Sequence, residues 1–197
     1  MWFKKKSPQQ EQEPDQKAVA IQPAPDRSRD ELIEQYRQLH SEKADYGRTS
    51  EYQLGYIQQS VMWLGPIKTV LDYGCGRSHV VDWVAKLNDA TAYRYDPAIP
   101  EYATLPITKA DLVLNTDVLE HIPEDQLPEI LGAISAISPH AFFNISIVEA
   151  VTHLPNGDNA HCTVRTGEWW RNKLAEYFPQ VREVRSYRPT TVSFVTW

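Results

Sequence analysis

The sequence predicts an α/β fold: a doubly wound, mostly parallel sheet with a C-terminal antiparallel hairpin and an N-terminal helical preface. Three observations carry that reading. From residue 67 onward strand-like and helix-like segments alternate, the pattern of parallel strands joined by helical crossovers. An apolar run ending at Tyr73 leads directly into a Gly74-Cys75-Gly76 turn and then into a helical segment. Two short runs, Val181–Tyr187 and Thr191–Thr196, flank Pro189 as a terminal hairpin.

Taken in order, residues 7 to about 27, the bulk of the segment 1–27, are rich in Gln, Pro, Glu, Asp and Lys with few large apolar groups, and such a composition cannot offset the entropy of ordering. A disordered tail is expected there. Ser28 and Glu31 form a capping box ahead of Leu32, Ile33, Tyr36 and Leu39, which share one helical stripe. A second box, Ser50 with Gln53, precedes Leu54, Ile57, Val61 and Met62, and Gly65-Pro66 ends that helix. These helices make residues 28–66 a preface to the main domain at 67–197. Tyr46-Gly47 and Tyr52 are assigned to packing between the preface helices, with a lid over a ligand as the rival role.

In the main domain Ile67–Tyr73 reads as a buried first strand, residues 77–87 as a helix and Thr91–Tyr95 as a second strand. The interval to the next strand, Asp111–Asn115, is short for a helix plus a strand. Pro97, Pro100 and Pro106 each remove a backbone donor, so one crossover is trimmed to a loop. Glu124–Ile137 follows as a helix, Ala141–Ile147 as a strand and Gly167–Tyr177 as a helix, in which Trp169 and Trp170 cannot share a face and at least one packs in the core.

Composition bounds the function. A formal net charge of -6 argues against general nucleic-acid binding, which relies on Lys and Arg releasing phosphate counterions. No apolar run of about 18 residues is present to span a bilayer, and Met1-Trp2-Phe3-Lys4-Lys5-Lys6 lacks the apolar body of a secretory signal. A cytoplasmic location is expected. Cys75 and Cys162 fit neither a disulfide framework nor a metal knuckle and are read as free thiols.

The chemistry is concentrated at strand ends. Glycine at 74 and 76 lets backbone approach a ligand where a Cβ would collide, and Asp72 beside the turn suits an amino-acid ammonium. The third glycine of a dinucleotide fingerprint is replaced by the Arg77-Ser78-His79 stretch. About 20 residues on, Asp96 closes the second strand, where a carboxylate accepts both hydroxyls of a ribose. Asp117, Glu120 and His121 stand at i, i+3 and i+4, and a helical turn would project all three to one side. Two carboxylates and an imidazole suit a divalent cation, or a general base with an orienting acid; a structural turn without metal is the plain alternative. His153, Asn156, Asp158 and Asn159 lie in a polar loop that either shapes an acceptor pocket or forms a solvated turn.

Val-Leu-Asp-Tyr-Gly-Cys-Gly at 70–76, Tyr-Asp-Pro at 95–97 and Ala-Asp-Leu-Val-Leu-Asn-Thr-Asp-Val-Leu-Glu-His-Ile at 110–122 resemble the class I S-adenosylmethionine-dependent methyltransferases, particularly small metabolic members related to quinone-biosynthesis enzymes. The resemblance covers residues 67–197 and implies a Rossmann-like fold, S-adenosylmethionine as cofactor and a small-molecule acceptor that the motifs do not identify. It implies that Asp72, Gly74, Cys75 and Gly76 hold the methionine part, Asp96 the ribose and Glu101, before Leu105-Pro106, the adenine. Asn115, Thr116 and Asp117 then face the reacting methyl, with Asp117 and His121 as catalytic candidates. Related patterns hold metals in some quinone O-methyltransferases and in small-RNA 2′-O-methyltransferases, the latter with a distant histidine. His161 is the candidate for that position, completing a set of Asp117, Glu120, His121 and His161. Two other functions remain open: a nicotinamide-dependent oxidoreductase, since a glycine turn and a later acid also fit a dinucleotide, and a non-catalytic cofactor-binding module. No Asn/Asp-Pro-Pro-Tyr run or Pro-Cys pair supports the usual routes of DNA methylation.

Overall fold

The computed structural model describes residues 28–43 and 45–197. The expected disordered tail at 1–27 lies outside the described residues. Six strands form one sheet: β1 (Thr69–Tyr73), β2 (Thr91–Tyr95), β3 (Leu112–Thr116), β4 (Ala141–Ser146), β5 (Arg182–Val184) and β6 (Thr191–Val195), in the order β2-β1-β3-β4-β6-β5. β1, β2, β3 and β4 are parallel where they pair, and β6 runs antiparallel to both β4 and β5. Among the described residues five α-helices accompany the sheet: α1 (Arg29–Glu42), α2 (Leu54–Val61), α3 (Val80–Asn88), α4 (Leu127–Ile137) and α5 (Gly167–Ala175).

Strand alternation sends successive side chains to opposite faces, and each face has its own core. Leu71, Val113, Phe143 and Phe194 pack with Leu131 and Ile134 of α4 and with Trp170 and Leu174 of α5. Val70, Leu112, Leu114, Phe142 and Val195 pack on the other face with Ile57 and Val61 of α2 and with Val80, Val81 and Val84 of α3. The sheet is thus doubly wound, and the preface helix α2 belongs to its core. Trp170 is fully buried and Trp169 partly so, as adjacent helical positions require. A third cluster joins Leu32 and Leu39 of α1 to Leu154 and Ala160, which seats α1 on the segment after β4.

Several boundaries move for local reasons. Ser28 caps α1 through a full capping box, as its sequence predicts. The second predicted box does not form: Thr49–Gln53 is a 3₁₀ turn and α2 has no side-chain cap. Gln53 is buried instead, with its Nε2 donating to Asn144 Oδ1 on β4 at 3.0 Å, so its side chain is taken by the sheet. α3 starts at Val80, three residues later than expected, because the Ser78 hydroxyl accepts from Val80 N and Glu51 accepts from His79 N. α4 starts at Leu127 with Pro128 in its first turn, where a missing N–H costs no helical bond. The terminal hairpin is shorter than predicted, and its second strand lies inside the sheet between β4 and β5. Between β2 and β3 the structure has one 3₁₀ turn, Pro100–Tyr102, which is the trimmed crossover, and among the described residues β2 is consequently an edge strand. No helix among the described residues is long and apolar enough to cross a membrane.

Candidate functional site

A cleft of about 610 Å³ opens at the C-terminal ends of β1, β2 and β3, where parallel α/β sheets bind ligands. α1 and the turn that follows it form the opposite wall through Tyr36, His40, Tyr46, Gly47 and Thr49.

The glycine turn makes one end of the cleft. Gly74 and Gly76 adopt left-handed φ of 89° and 52°. The N–H groups of Gly74 and Cys75 both donate to Tyr95 O, at 2.7 and 3.1 Å, which ties the turn to β2. A Cβ on Gly74 would lie 2.5 Å from Cγ2 of Val118, and one on Gly76 would lie 3.1 Å from Gly47 O. Neither position has room for a side chain. Asp96 braces the turn as well as lining the cleft: Gly76 N donates to its Oδ2 and Ala98 N to its Oδ1, each at 2.9 Å. Each of those oxygens keeps a second lone pair for a ligand hydroxyl.

Asp72 lies beneath this turn at 1% exposure, and neither carboxylate oxygen has a hydrogen-bond partner among the described residues. Burial pushes its carboxyl up to about 7, opposed by Arg94 and reinforced by Asp96 and Asp82. An orphaned carboxylate under a glycine turn that admits no Cβ suits a cationic group laid against the backbone.

The other end of the cleft is built by the turn after β3. Asp117 has a left-handed φ of 55°, uncommon for a residue with a Cβ, and its Oδ2 accepts from the Thr49 hydroxyl at 2.9 Å. Burial raises its carboxyl above the ordinary value. The predicted helical turn is only a 3₁₀ turn over Leu119–His121, so Asp117 does not share its face. Glu120 is fully buried: Oε1 accepts from Ser146 N at 2.8 Å, and Oε2 has no partner among the described residues. Burial and the neighbouring Asp117 carboxyl raise Glu120 well above the usual carboxylate range.

Two histidines face each other here, with ring centroids 4.8 Å apart. His121 Nδ1 lies 2.9 Å from Ala160 O, and His161 Nδ1 lies 2.7 Å from Val148 O. A carbonyl oxygen only accepts, so both Nδ1 atoms carry protons and both Nε2 atoms keep their lone pairs. The Tyr36 hydroxyl donates to the same Ala160 O at 2.8 Å and lies 2.9 Å from His121 Nδ1. Burial, with a smaller contribution from His161, lowers His121 to about 3, and burial also lowers His161. Ligand atoms of Glu120, His121 and His161 lie within 4.8 Å of one another. Asp117 is not part of that group, which removes it from the expected four-residue set.

Of the residues singled out in the sequence, Gly74, Gly76, Asp96, Asp117, Glu120, His121 and His161 line the one cleft. Asp72, Cys75, Asn115 and Thr116 are buried behind it, and Asn115 is used structurally, its Nδ2 donating to Tyr73 O at 2.7 Å. Glu101 does not reach the cleft. It borders a separate depression with Arg48, Arg77, His79 and Arg94, because the short 96–111 segment turns outward at Pro100–Tyr102. The polar loop 153–159 also stays outside the lining, closed on itself by a His153–Asn159 bridge, while Val148–Thr152 just before it forms the wall. Tyr46 packs on Tyr36 and His40 of α1 while it and Gly47 line the cleft, whereas Tyr52 is 72% exposed, so the expected packing holds for Tyr46 and not for Tyr52. Tyr36, His40, Thr49, Tyr187 and Arg188 are lining residues whose sequence carries no signal of a site role, Tyr36 and Tyr187 reading only as parts of a helical stripe and a strand, since that role depends on how distant segments fold together.

Solved structures similar to this chain share its fold. One is the 1,6-didemethyltoxoflavin-N1-methyltransferase of Burkholderia thailandensis, with 1,6-didemethyltoxoflavin and S-adenosylhomocysteine bound; the TM-score is 0.61 at 17% identity over 92% of this chain and 94% of that one. A second is an O-methyltransferase family protein from Burkholderia thailandensis, with a TM-score of 0.59 at 14% identity over 81% of this chain and 57% of that one. A third is the methyltransferase domain of bacterial CtHen1-CN, with a TM-score of 0.56 at 16% identity over 74% of this chain and 97% of that one. No protein-family model matches the chain, nor does any curated protein. The chain has the Rossmann-like fold of S-adenosylmethionine-dependent methyltransferases.

Proposed function

We propose that the chain is an S-adenosylmethionine-dependent methyltransferase acting on a small-molecule acceptor. The observation that carries this reading is the pairing, in one cleft, of a glycine turn above an orphaned buried Asp72 with Asp96 at the next strand end. Bound S-adenosylmethionine supplies an activated methyl group, which passes to an acceptor nucleophile with release of S-adenosylhomocysteine. In this reading Asp72, whose carboxylate oxygens have no partner among the described residues, receives the ammonium of the methionine end, and Asp96, which lines the cleft, accepts from the ribose hydroxyls. The walls then have mainly to position the two reactants, because the donor is already activated.

For an acceptor hydroxyl a proton must also leave. His121 offers a free Nε2 lone pair, but an imidazole lowered to about 3 is a weak base at neutral pH. The same neutral imidazole is what a metal ion requires. The carbonyl-held tautomers of His121 and His161 and the unpartnered Oε2 of Glu120 favour a divalent cation held by these three residues, which would supply Lewis acidity toward the acceptor oxygen. In that reading His121 is a ligand, and Asp117 stays beside the acceptor as a separate group. The net charge of -6 supports a small acceptor over general nucleic-acid binding, and a cytoplasmic setting agrees with it.

Calorimetry tests the reading: S-adenosylhomocysteine should bind and NAD should not, and Asp96→Ala should weaken binding by roughly 1.5–3 kcal/mol for each charge-assisted bond lost. NAD binding would instead support the oxidoreductase alternative. Cofactor binding with no methylated product from any acceptor in a metabolite extract would support a non-catalytic module.

A further inference from the structure

We propose that His40 receives the α-carboxylate of the cofactor's methionine end, making α1 part of the cofactor site. The assignment rests on the methyltransferase reading above. His40 is in the last turns of α1, 6% exposed, and it lines the same cleft as Gly74, Gly76 and Asp96. Two contacts place it beside the glycine turn. A Cβ on Gly47 would lie 3.3 Å from both His40 Cε1 and Gly76 Cα, so the imidazole edge and the glycine turn both abut Gly47. Arg77, the residue after the turn, donates from Nη2 to His40 O at 3.3 Å.

His40 differs from the other two histidines of the cleft. His121 and His161 each give Nδ1–H to a carbonyl, whereas the buried Nδ1 of His40 has no hydrogen-bond partner among the described residues. Its ring makes an edge contact with Tyr46, at 5.2 Å between centroids. A desolvated ring nitrogen left unpaired is costly unless something outside the chain completes it.

The chemistry of the missing partner follows from what surrounds it. Asp96 lines this end of the cleft and Asp72 lies buried behind it, and two carboxyl groups suit an ammonium and ribose hydroxyls but offer no donor to a carboxylate. An amino-acid end is a zwitterion, so its carboxylate needs a donor on the opposite side of the turn. His40, backed by the Arg77 guanidinium that grips its own carbonyl, is that donor.

Two ligands separate this role from packing: S-adenosylhomocysteine, and 5′-methylthioadenosine, which keeps the nucleoside thioether and lacks the amino-acid end. By calorimetry, His40→Phe should bind S-adenosylhomocysteine at least about tenfold more weakly while 5′-methylthioadenosine is little changed, and His40→Gln, which retains an N–H donor, should recover part of the loss. Equal weakening of both ligands, or of neither, overturns the assignment. An NMR titration of the unaltered protein gives the same decision without a variant: the His40 ring nitrogens should shift with S-adenosylhomocysteine and not with 5′-methylthioadenosine. Equal shifts with both ligands overturn the assignment. Failure of the unaltered protein to bind either ligand overturns the methyltransferase reading itself, and His40 with it.

Discussion

The Thr49 hydroxyl donates a 2.9 Å hydrogen bond to Oδ2 of Asp117, tying the segment between α1 and α2 to the turn after β3 across the cleft. Asp117 is held in a left-handed conformation at the same point, so one bond fixes both the carboxylate and the wall that faces it. Thr49→Val keeps the shape and removes the donor. Opening of residues 45–49 should become easier by about 1 kcal/mol, the net worth of such a bond, and hydrogen exchange followed by mass spectrometry should show about fivefold faster exchange in that turn. Unchanged exchange would mean that packing alone holds it.

Gly74→Ala places a Cβ 2.5 Å from Val118 Cγ2 at a φ of 89°. The backbone term alone costs about 1–3 kcal/mol, and the clash adds to it, so the melting temperature should fall by several degrees. Val118→Ala in the same chain should restore only part of the loss, because it removes the clash and leaves the φ. Full recovery in the double variant would show that the turn tolerates a side chain.

Asp72 links stability to pH. Its ordinary value is 3.8 and burial raises it to about 7, so between roughly pH 4 and pH 7 the unfolded chain has released a proton that the folded chain keeps. Stability should therefore fall as pH rises through that window and level off above it. Asp72→Asn should flatten this slope in thermal melts, and it should also weaken S-adenosylhomocysteine, whose ammonium would otherwise favour the ionised carboxylate. A slope that persists in the variant would place its origin elsewhere, with Glu120 the next group to examine.

The sequence reaches this site unevenly, and the reason is physical. The run from Val70 to Gly76 specifies its own strand and turn, because an apolar stretch and two obligatory glycines act over neighbouring residues. His161 was legible as a companion to Glu120 and His121 from motif likeness, and the structure brings the three together. Gln53 misled: its spacing from Ser50 is that of a capping box, but Asn144, 91 residues away, takes its amide. Asp117 misled for a similar reason, since i, i+3 spacing implies one face only if the backbone is helical, and its φ is positive. Thr49 and His40 give no signal, and Tyr36 reads only as part of a helical stripe, because their place in the site depends on where α1 docks, which Leu154 and Ala160 decide.

Cation binding can be measured directly. Titration with Mn²⁺ in a calorimeter should show one site that is lost or weakened at least about tenfold in Glu120→Gln and in His161→Ala. Asp117→Asn should leave it nearly intact, since Asp117 lies outside the ligand group. Equal Mn²⁺ binding in all three variants would leave Glu120, His121 and His161 as a structural cluster.

The trimmed crossover after β2 leaves that strand, among the described residues, with a neighbour on one side only. A row of main-chain donors and acceptors along its outer margin is therefore open to any extended peptide, which is a hazard for a protein crowded among copies of itself. Two properties of the chain oppose such pairing. Thr91–Tyr95 is only five residues long, and Arg94 within it carries a charge held by Asp82 of α3. Shortening the crossover thus transfers a duty to Arg94: a strand that would be interior in a longer sheet must here discourage association at its own border.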